Sequence, residues 1–187
     1  MTPTRAGGFE LAIEHEIIRG ISTEMLEWWF QNLDRDFDYR GQRLHAYRMW
    51  HPLDHIRIDF TRDEAGRIAP GQRVHIQEVF GRDPRNRIDE HVWLHRWDRY
   101  GIGLHATIAG IRMFELNHQF DDVPGGVQYR SRARIGAFSG LVGGMLTRVA
   151  LPRRFPPQKA TAWFKHNIEE VGCFENFLPE LYAANRS

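Results

Sequence analysis

A long amphipathic helix is predicted near the carboxy terminus, over residues 157–184 with a bend near Pro179, and the rest of the chain must supply an interior for its apolar side. His166 and Glu170 lie one turn apart in this helix and, at about 100° per residue, point to that side. The same side carries Trp163, Phe174, Phe177 and Leu181. Burying an unpaired ionisable group costs several kcal/mol, so both residues need strong partners, and a metal ion is one. The simpler alternative is an ion pair on a solvated helix face, worth about 0.2 to 0.5 kcal/mol.

A second acidic residue is predicted to face the interior. Residues 74–80 alternate in the manner of a strand, with Val74, Ile76, Glu78 and Phe80 on one side. A buried glutamate is rare unless it is paired or binds a metal. Two acids and a histidine directed at one interior therefore indicate a site for a metal with oxygen and nitrogen ligands, and one more ligand would complete it.

Composition and charge narrow the class of protein. The 187 residues fit one domain with a full core, predicted to span residues 1–187. The 25 basic and 24 acidic residues are interspersed, so no net charge favours a nucleic acid or a membrane surface as partner. Cys173 is the single cysteine, which rules out an internal disulfide and suits a reducing compartment. The start of the chain lacks an apolar signal core, and no run approaches the ~20 apolar residues of a membrane span, so a cytoplasmic protein is expected.

The spacing of apolar and turn residues predicts a largely antiparallel sheet framed by helices. Residues 9–18 are predicted as the first strand, and a helix follows from a cap at Ser22 to about Leu33. Successive strands are then predicted over residues 44–50, 55–60, 73–80, 90–97, 102–114, 115–121 and 127–134. The breaks between these strands are short, so neighbouring strands are expected to be antiparallel. The small residues of segment 136–144 are expected to form a loose connection or a short helix.

This order of elements predicts an α+β helix-grip fold of the Bet v 1 or START type. In that fold, a curved antiparallel sheet wraps around a long carboxy-terminal helix and leaves a cavity between them. Glu78 on the concave face of the sheet would then meet His166 and Glu170 of the helix inside the cavity. The alternative is a plain α+β sandwich in which the helix packs flat on the sheet without a hollow.

Four sequence motifs occur in the same order as in a known family of enzymes. They cover residues 20–30, residues 47–55, residues 74–78, and residues 166–170 together with 178–182. On these motifs the chain resembles the 2,4-diacetylphloroglucinol hydrolase and phloretin hydrolase family over nearly its whole length. The resemblance implies a catalytic domain with the helix-grip fold. It also implies a zinc enzyme that hydrolyses the carbon–carbon bond between an acyl group and a phenolic ring.

The resemblance places the family's four zinc ligands on His55, Glu78, His166 and Glu170. The first of these ligands closes a Tyr-x-x-Trp-x-Pro-x-x-His pattern, which His55 completes here. His51 is the alternative first ligand, and it is otherwise expected to be an exposed residue at a strand end. Two imidazoles and two carboxylates also suit Mn²⁺ or Fe²⁺, so zinc is implied by the resemblance alone.

Tyr47 and His118 are candidate catalytic residues through the same resemblance. Tyr47 matches a tyrosine that contacts substrate, and His118 precedes a Gly-Gly turn by seven residues, as does a family histidine that acts on the substrate. Strand alternation puts His118 on the side of Leu116 and Phe120, toward the expected cavity. We expect His118 to shuttle protons, since an ordinary histidine has a pKa of about 6.5, and Tyr47 to hydrogen-bond a substrate oxygen. The alternatives are a core histidine bonded to the backbone and a half-buried strand tyrosine.

The sequence leaves three functions open. The resemblance favours a zinc-dependent hydrolase for a small aromatic, polyketide-like substrate such as an acylphloroglucinol, acting as a monomer or a homodimer. A binding protein for hydrophobic aromatic ligands would share the fold but would not need a charged cluster in its cavity. Cyclase or aromatase chemistry on polyketides would share the fold but not this set of ligand residues. We find no nucleic-acid-binding signature.

Overall fold

A computed structural model describes residues 1–136 and 140–186 of the chain. Within this part of the chain, nine strands form one antiparallel sheet, and two further strands form a separate hairpin. In chain order the elements are β1 (Thr2–Pro3), β2 (Phe9–Glu14), β3 (Ile18–Arg19), α1 (Thr23–Gln31), β4 (Asp36–Tyr39), β5 (Gln42–His45), α2 (Ala46–Trp50), β6 (His55–Phe60), β7 (Arg73–Val79), β8 (Arg87–Asp98), β9 (Gly101–Ile108), β10 (Ile111–Val123), β11 (Gly126–Ile135), α3 (Leu141–Arg154), α4 (Pro157–Gly172) and α5 (Leu178–Asn185). The order across the large sheet is β1-β2-β11-β10-β9-β8-β7-β6, with β3 also paired to β11.

The large sheet curves around the carboxy-terminal helices, which confirms the predicted helix-grip fold. The main apolar core joins residues of the concave face, such as Val74 and Leu94, to Phe174 and Leu181 of the carboxy-terminal segment. A cavity of about 260 Å³ separates α4 from the concave face. The alternative of a flat sandwich without a hollow is therefore wrong.

Helix α1 packs against β10 and α5 and confirms the predicted capped helix. Its first turn is capped by Ser22, whose Oγ accepts a hydrogen bond from the backbone N–H of Met25 at 3.2 Å. Trp29 and Phe30 form part of its buried face. Phe30 stacks on Phe120 of β10, with ring centroids 5.6 Å apart. This contact ties the first helix to the middle of the sheet.

The predicted carboxy-terminal helix is present, but it is divided. Helix α4 ends at Gly172, a 3₁₀ turn spans Cys173–Asn176, and α5 begins with Pro179 in its first turn. Proline donates no backbone hydrogen bond, and its ring clashes with the carbonyl four residues earlier, so one straight helix cannot continue through it. All six residues predicted to share the interior side are buried, namely Trp163, His166, Glu170, Phe174, Phe177 and Leu181. Among the described residues, no helix combines the length and apolar character needed to cross a bilayer.

The strand predicted over residues 44–50 is wrong in its second half. Strand β5 ends at His45 and pairs with β4 in a hairpin that was not predicted, and Ala46–Trp50 form the helical turn α2. This turn buries Tyr47 and Trp50, which are three positions apart, as expected of a helix and not of a strand. Short apolar runs do not distinguish a strand from a buried helical turn by periodicity, and here packing against β6 selects the helix.

The strand predicted over residues 102–114 is also wrong, because a two-residue turn divides it. Ile108, the last residue of β9, pairs with Ile111, the first residue of β10, and Ala109 and Gly110 lie between them at φ of 50° and 77°. Positive φ at both positions is typical of a type I′ hairpin turn, which Asn-Gly favours and alanine does not. The alanine weakened the turn signal in the sequence. Strand β10 then runs on through the residues predicted as a separate strand.

A helix longer than predicted follows β11. Segment 136–144 was expected to be a loose connection or a short helix, and residues 137–139 of it lie outside the described residues. Helix α3 spans Leu141–Arg154. Its last two turns place Leu151 and Arg154 in the cavity wall. The side chain of Arg154 bonds both carboxylate oxygens of Glu90 on β8 at 2.6 Å, so this helix is tied to the sheet at the cavity edge.

Candidate metal centre

His55 faces the interior because of a β-bulge. Strands β6 and β7 pair Ile58 with Ile76, but the register shifts just after His55, so His55 and not Ile56 lies opposite Glu78. Ile56 is 39% exposed, whereas His55 is 3% exposed. Regular alternation from Ile58 would have turned His55 to the outer face of the sheet. The bulge therefore places an imidazole beside the Glu78 carboxylate.

Glu78 lines the cavity, on the side that strand alternation predicted. Its Oε1 accepts a hydrogen bond from the hydroxyl of Tyr47. The Tyr47 ring stacks on His55, with centroids 3.7 Å apart and planes 6° from parallel. Burial and then the negative charge of Glu78 raise the pKa of Tyr47 well above its usual value, so this tyrosine stays protonated and acts as a donor. The expectation of a half-buried strand tyrosine is wrong, since Tyr47 lies in a helical turn and is 2% exposed.

His166 and Glu170 complete a group of four donors. Both are buried on α4 and line the cavity, and His166 Nε2 lies 3.5 Å from Glu170 Oε2. His55 Nε2 lies 3.2 Å from His166 Nε2 and 3.5 Å from Glu170 Oε2. Glu78 Oε1 lies 3.6 Å from His55 Nε2. The structure therefore brings together all four residues that the sequence singled out as ligands.

The spacing of these donor atoms fits a small metal ion. A tetrahedral ion with bonds of about 2.0 to 2.1 Å holds its ligand atoms about 3.3 Å from one another. The separations measured from His55 Nε2 and within the His166 and Glu170 pair range from 3.2 to 3.6 Å. Among the described residues, His55, Glu78 and His166 form one of two groups whose ligand atoms are close enough to share a metal ion. Glu170 is not in this group, and it joins the cluster through its 3.5 Å contacts with His55 and His166.

Hydrogen bonds set both imidazoles in the tautomer that a metal requires. His55 Nδ1–H donates to the backbone carbonyl of Tyr47 at 2.8 Å, and His166 Nδ1–H donates to Asp54 Oδ2 at 3.1 Å. A neutral imidazole with a proton on Nδ1 carries a lone pair on Nε2. If both rings are neutral, their two Nε2 lone pairs face each other at 3.2 Å, and a proton or a metal ion between them would stabilise this arrangement.

Asp54 is a functional candidate that the sequence analysis missed. It is 3% exposed, it accepts the Nδ1–H of His166, and its other oxygen accepts the backbone N–H of Gly81 at 3.0 Å. A carboxylate behind a metal-binding histidine typically fixes the orientation and the tautomer of the ring. In the sequence, only its position directly before His55 pointed to Asp54, and that position indicates a buried side chain only when the bulge after His55 is known.

The electrostatics of the cluster favour a positive charge at its centre. Burial opposes protonation of His166, but the hydrogen-bonded carboxylates of Asp54 and Glu170 and the nearby charge of Glu78 raise its pKa to about 10. Burial opposes ionisation of Glu170, but its contacts with His166 and His55 lower its pKa below the usual range. Two carboxylates around two imidazoles thus stabilise an added cation, whether a proton or a metal ion.

His51 is buried at 5% exposed, so the expectation of an exposed strand-end residue is wrong. Its Nδ1 accepts the backbone N–H of Asp54 at 3.2 Å, which leaves the proton on Nε2, 3.8 Å from Glu169. His51, Asp54 and His166 form the second group of potential metal donors within the described residues. In this group, however, the Nδ1 atoms of both histidines are already bonded to Asp54. Of the two candidates for first ligand, His55 is the one whose free nitrogen faces the other donors.

The cavity beside the cluster has mostly apolar walls, with polar residues at the cluster and a second polar pair, Glu90 and Arg154, at its edge. Its volume is about 260 Å³. The apolar wall includes Phe30, Ile58, Leu104, Phe114 and Trp163. The polar end carries Tyr47, Glu78, His118, His166 and Glu170. Such a cavity suits a small apolar ring whose polar substituents point at the cluster.

His118 lines the cavity, as strand alternation predicted, and is 4% exposed. The alternative of a histidine bonded to the backbone is wrong, because its Nδ1 is bonded to Ser131 Oγ at 2.9 Å. Burial lowers the pKa of His118 to about 4, against the attraction of Glu170, so its ring is neutral at pH 7. Its Nε2 is the ring nitrogen left to face the cavity.

Comparison with known proteins gives one distant similarity of sequence. Phloretin hydrolase of Eubacterium ramulus is 25% identical over 201 residues, which cover 97% of this chain and 70% of that enzyme. The chain is thus distantly similar to a hydrolase over nearly its whole length. No protein-family model matches the sequence.

Solved structures support the fold alone. A protein of Nitrosomonas europaea superposes with a TM-score of 0.51 at 11% identity, covering 95% of this chain and 96% of that one. Ara h 8.0201 superposes with a TM-score of 0.51 at 10% identity, covering 92% of this chain and 97% of that one. Both agree with the helix-grip architecture, and at these identities they carry no information about function.

Proposed function

We propose that this protein is a metal-dependent hydrolase that cleaves the carbon–carbon bond between an acyl group and a phenolic ring or a similar β-dicarbonyl group. The observation that carries the proposal is the convergence of His55, Glu78, His166 and Glu170 at the polar end of an apolar cavity. The distant similarity to phloretin hydrolase supports this reaction class. In this proposal, residues 1–187 act as one catalytic domain.

A metal explains why two acids and two imidazoles are buried together. Without a cation, the cluster would hold two carboxylates in an apolar interior, at a cost of several kcal/mol. A bound divalent ion would polarise the acyl carbonyl and lower the pKa of a water molecule toward about 7. We assign zinc on the similarity to the hydrolase family, and Mn²⁺ and Fe²⁺ are the other ions that this donor set accepts.

The proposed reaction adds the elements of water across the bond. The ring first takes up a proton at the carbon that bears the acyl group and adopts its keto form. Water then attacks the acyl carbonyl, and cleavage returns the bonding electrons to the ring as an enolate. The acyl group leaves as a carboxylic acid, and the ring leaves as a phenol with one hydrogen added.

His118 is the proposed proton shuttle for the ring. Its neutral Nε2 accepts a proton from a phenolic hydroxyl and returns it to ring carbon, and its low pKa makes the charged form a strong acid. Tyr47 donates its own proton to Glu78, so its hydroxyl oxygen is available to accept a hydrogen bond from a substrate hydroxyl. In this proposal, Tyr47 both orients Glu78 and contacts the substrate.

A second candidate function is a carrier of small aromatic molecules. The mostly apolar wall of the cavity favours it, because such a wall binds a hydrophobic ligand without any chemistry. The two functions differ at the polar end. A carrier gains nothing from four buried ionisable donors, whereas a metal hydrolase requires them.

Metal content and turnover together test the proposal. Protein purified without added metal should contain about one equivalent of a first-row metal by elemental analysis, as a single four-donor site requires. The variant His166→Ala should lose this metal. The control His75→Ala, which removes a histidine of β7 that bonds Asp89 and not the cluster, should retain it. Wild type should convert phloretin or a monoacylphloroglucinol into the free phenol and the carboxylic acid, detected by chromatography. Metal-free wild type that binds these compounds unchanged would establish the carrier instead.

A further inference from the structure

A buried serine bridges two buried histidines behind the cavity. Ser131 of β11 is fully buried, and its Oγ lies 2.9 Å from His118 Nδ1 and 2.9 Å from His15 Nε2. His15 follows β2 and is 9% exposed, between the exposed residues Glu14 and Glu16. The three side chains therefore form a continuous chain of hydrogen bonds from the cavity toward the protein surface.

The single proton of the serine hydroxyl couples the two rings. When the hydroxyl donates to one imidazole, it accepts from the other. If it donates to His118 Nδ1, then His15 Nε2–H donates to it, and both histidines carry their proton on Nε2. If it donates to His15 Nε2, then His118 Nδ1–H donates to it, and both histidines carry their proton on Nδ1. The bridge thus makes the two histidines adopt the same tautomer.

The surroundings keep this chain intact. The Tyr129 ring contacts both histidines, with its centroid 5.3 Å from each ring. Burial lowers the pKa of both histidines, and Glu170 is the acidic group that opposes this effect at each of them. Both rings are therefore neutral near pH 7, which the coupled arrangement requires.

We propose that Ser131 and His15 are positioning residues that set the tautomer of His118 and relay its proton between the cavity and the surface. When His118 Nε2 takes up a proton, its Nδ1 proton passes to Ser131 Oγ, the serine proton passes to His15 Nε2, and His15 Nδ1 releases a proton to water. The reverse sequence reloads the chain. The relay rests on the proposed function for the reaction that it serves, but its tautomer coupling exists without any substrate.

Nuclear magnetic resonance of ¹⁵N-labelled histidine tests the coupling in the full chain without substrate. At pH 7, wild type should show His15 and His118 in the same tautomer. Removing the partner in His15→Leu should shift the ring nitrogen signals of His118, because the serine hydroxyl then rotates freely. The matched variant His15→Gln, whose amide can bond Ser131, should keep the His118 signals closer to those of wild type than His15→Leu does. Opposite tautomers in wild type, or unchanged His118 signals in His15→Leu, would overturn the proposal.

Kinetics test the relay itself with a substrate that wild type accepts. His15→Leu and Ser131→Ala should each lower kcat by about tenfold, a part of the usual contribution of proton transfer, with KM changed less. His15→Gln should recover part of kcat if it orients His118, and metal content should be unaffected in all three variants. Equal kcat in His15→Leu and wild type would refute the relay. Absence of turnover by wild type would instead refute the proposed function, while the resonance experiment would still decide the coupling.

Discussion

Replacing Asp54 by asparagine removes one negative charge behind His166 and keeps the size of the side chain. The Asp54 carboxylate accepts two hydrogen bonds, from His166 Nδ1–H at 3.1 Å and from the backbone N–H of Gly81 at 3.0 Å. Asparagine has one acceptor oxygen and a donor NH₂ group, so it can serve only one of these two donors. The other donor would face an N–H group in a site where Asp54 and His166 are both 3% exposed.

The size of the effect follows from what the carboxylate does for the imidazole. It holds His166 in the tautomer whose Nε2 faces the other donors, and it raises the basicity of that nitrogen. Loss of such a partner typically weakens metal binding by about 10- to 100-fold, which corresponds to about 1.4 to 2.8 kcal/mol. We therefore expect Asp54→Asn to bind the metal with a Kd raised by this factor while retaining its fold.

Competition with a chromophoric chelator measures this change in Kd directly. The matched control is Glu169→Gln, which removes a carboxylate next to the cluster on the same helix but leaves the side-chain bonds of His55, His166 and Glu170 intact. The control should bind metal as wild type does. If Asp54→Asn also binds metal within twofold of wild type, the carboxylate does not orient His166 for a metal, and the reasoning fails.

Three further predictions concern metal removal, pH and the hairpin turn. Chelation of the metal should lower the Tm, and added zinc should restore it, because an ion at about 1,000 times its Kd stabilises the folded state by about 4 kcal/mol. An unchanged Tm on a calorimetric scan would contradict a metal centre. The pKa of His118 is about 4 in the folded protein and about 6.5 in the unfolded chain. Between pH 7 and pH 5 only the unfolded chain takes up this proton, so this one residue should lower the free energy of unfolding by about 2 kcal/mol at pH 5 relative to pH 7. Urea unfolding of His118→Gln should show a correspondingly smaller loss over the same interval, and an equal loss in both proteins would exclude this assignment. Ala109→Asn should raise the free energy of unfolding by about 0.5 to 1 kcal/mol, since Ala109 has a φ of 50° and asparagine tolerates this conformation better; a decrease would show that the turn is not strained.

Local periodicity determined most of the architecture from the sequence. The interior side of the carboxy-terminal helix and the inward direction of Glu78 and His118 follow from repeats of about 3.6 and 2 residues, and the structure buries all of them. The order of strands and helices was enough to predict a helix-grip fold. Local signals failed where two conformations bury the same side chains, as at the helical turn Ala46–Trp50, and where an unfavourable residue occupies a turn, as at Ala109.

Only the tertiary structure decided how the site is assembled. Strand alternation alone would have turned His55 to the outer face, and the bulge that reverses it is visible only in its pairing with β7. Asp54 contacts His166, which is 112 positions away in sequence. Ser131 contacts His15, 116 positions away, and His118, 13 positions away. The sequence by itself determined the inward direction of Glu78, His118, His166 and Glu170, because in regular strands and helices that direction depends on neighbours a few residues away. Which of those side chains meet, and at which atoms, depends on how distant segments pack, and this no local pattern encodes.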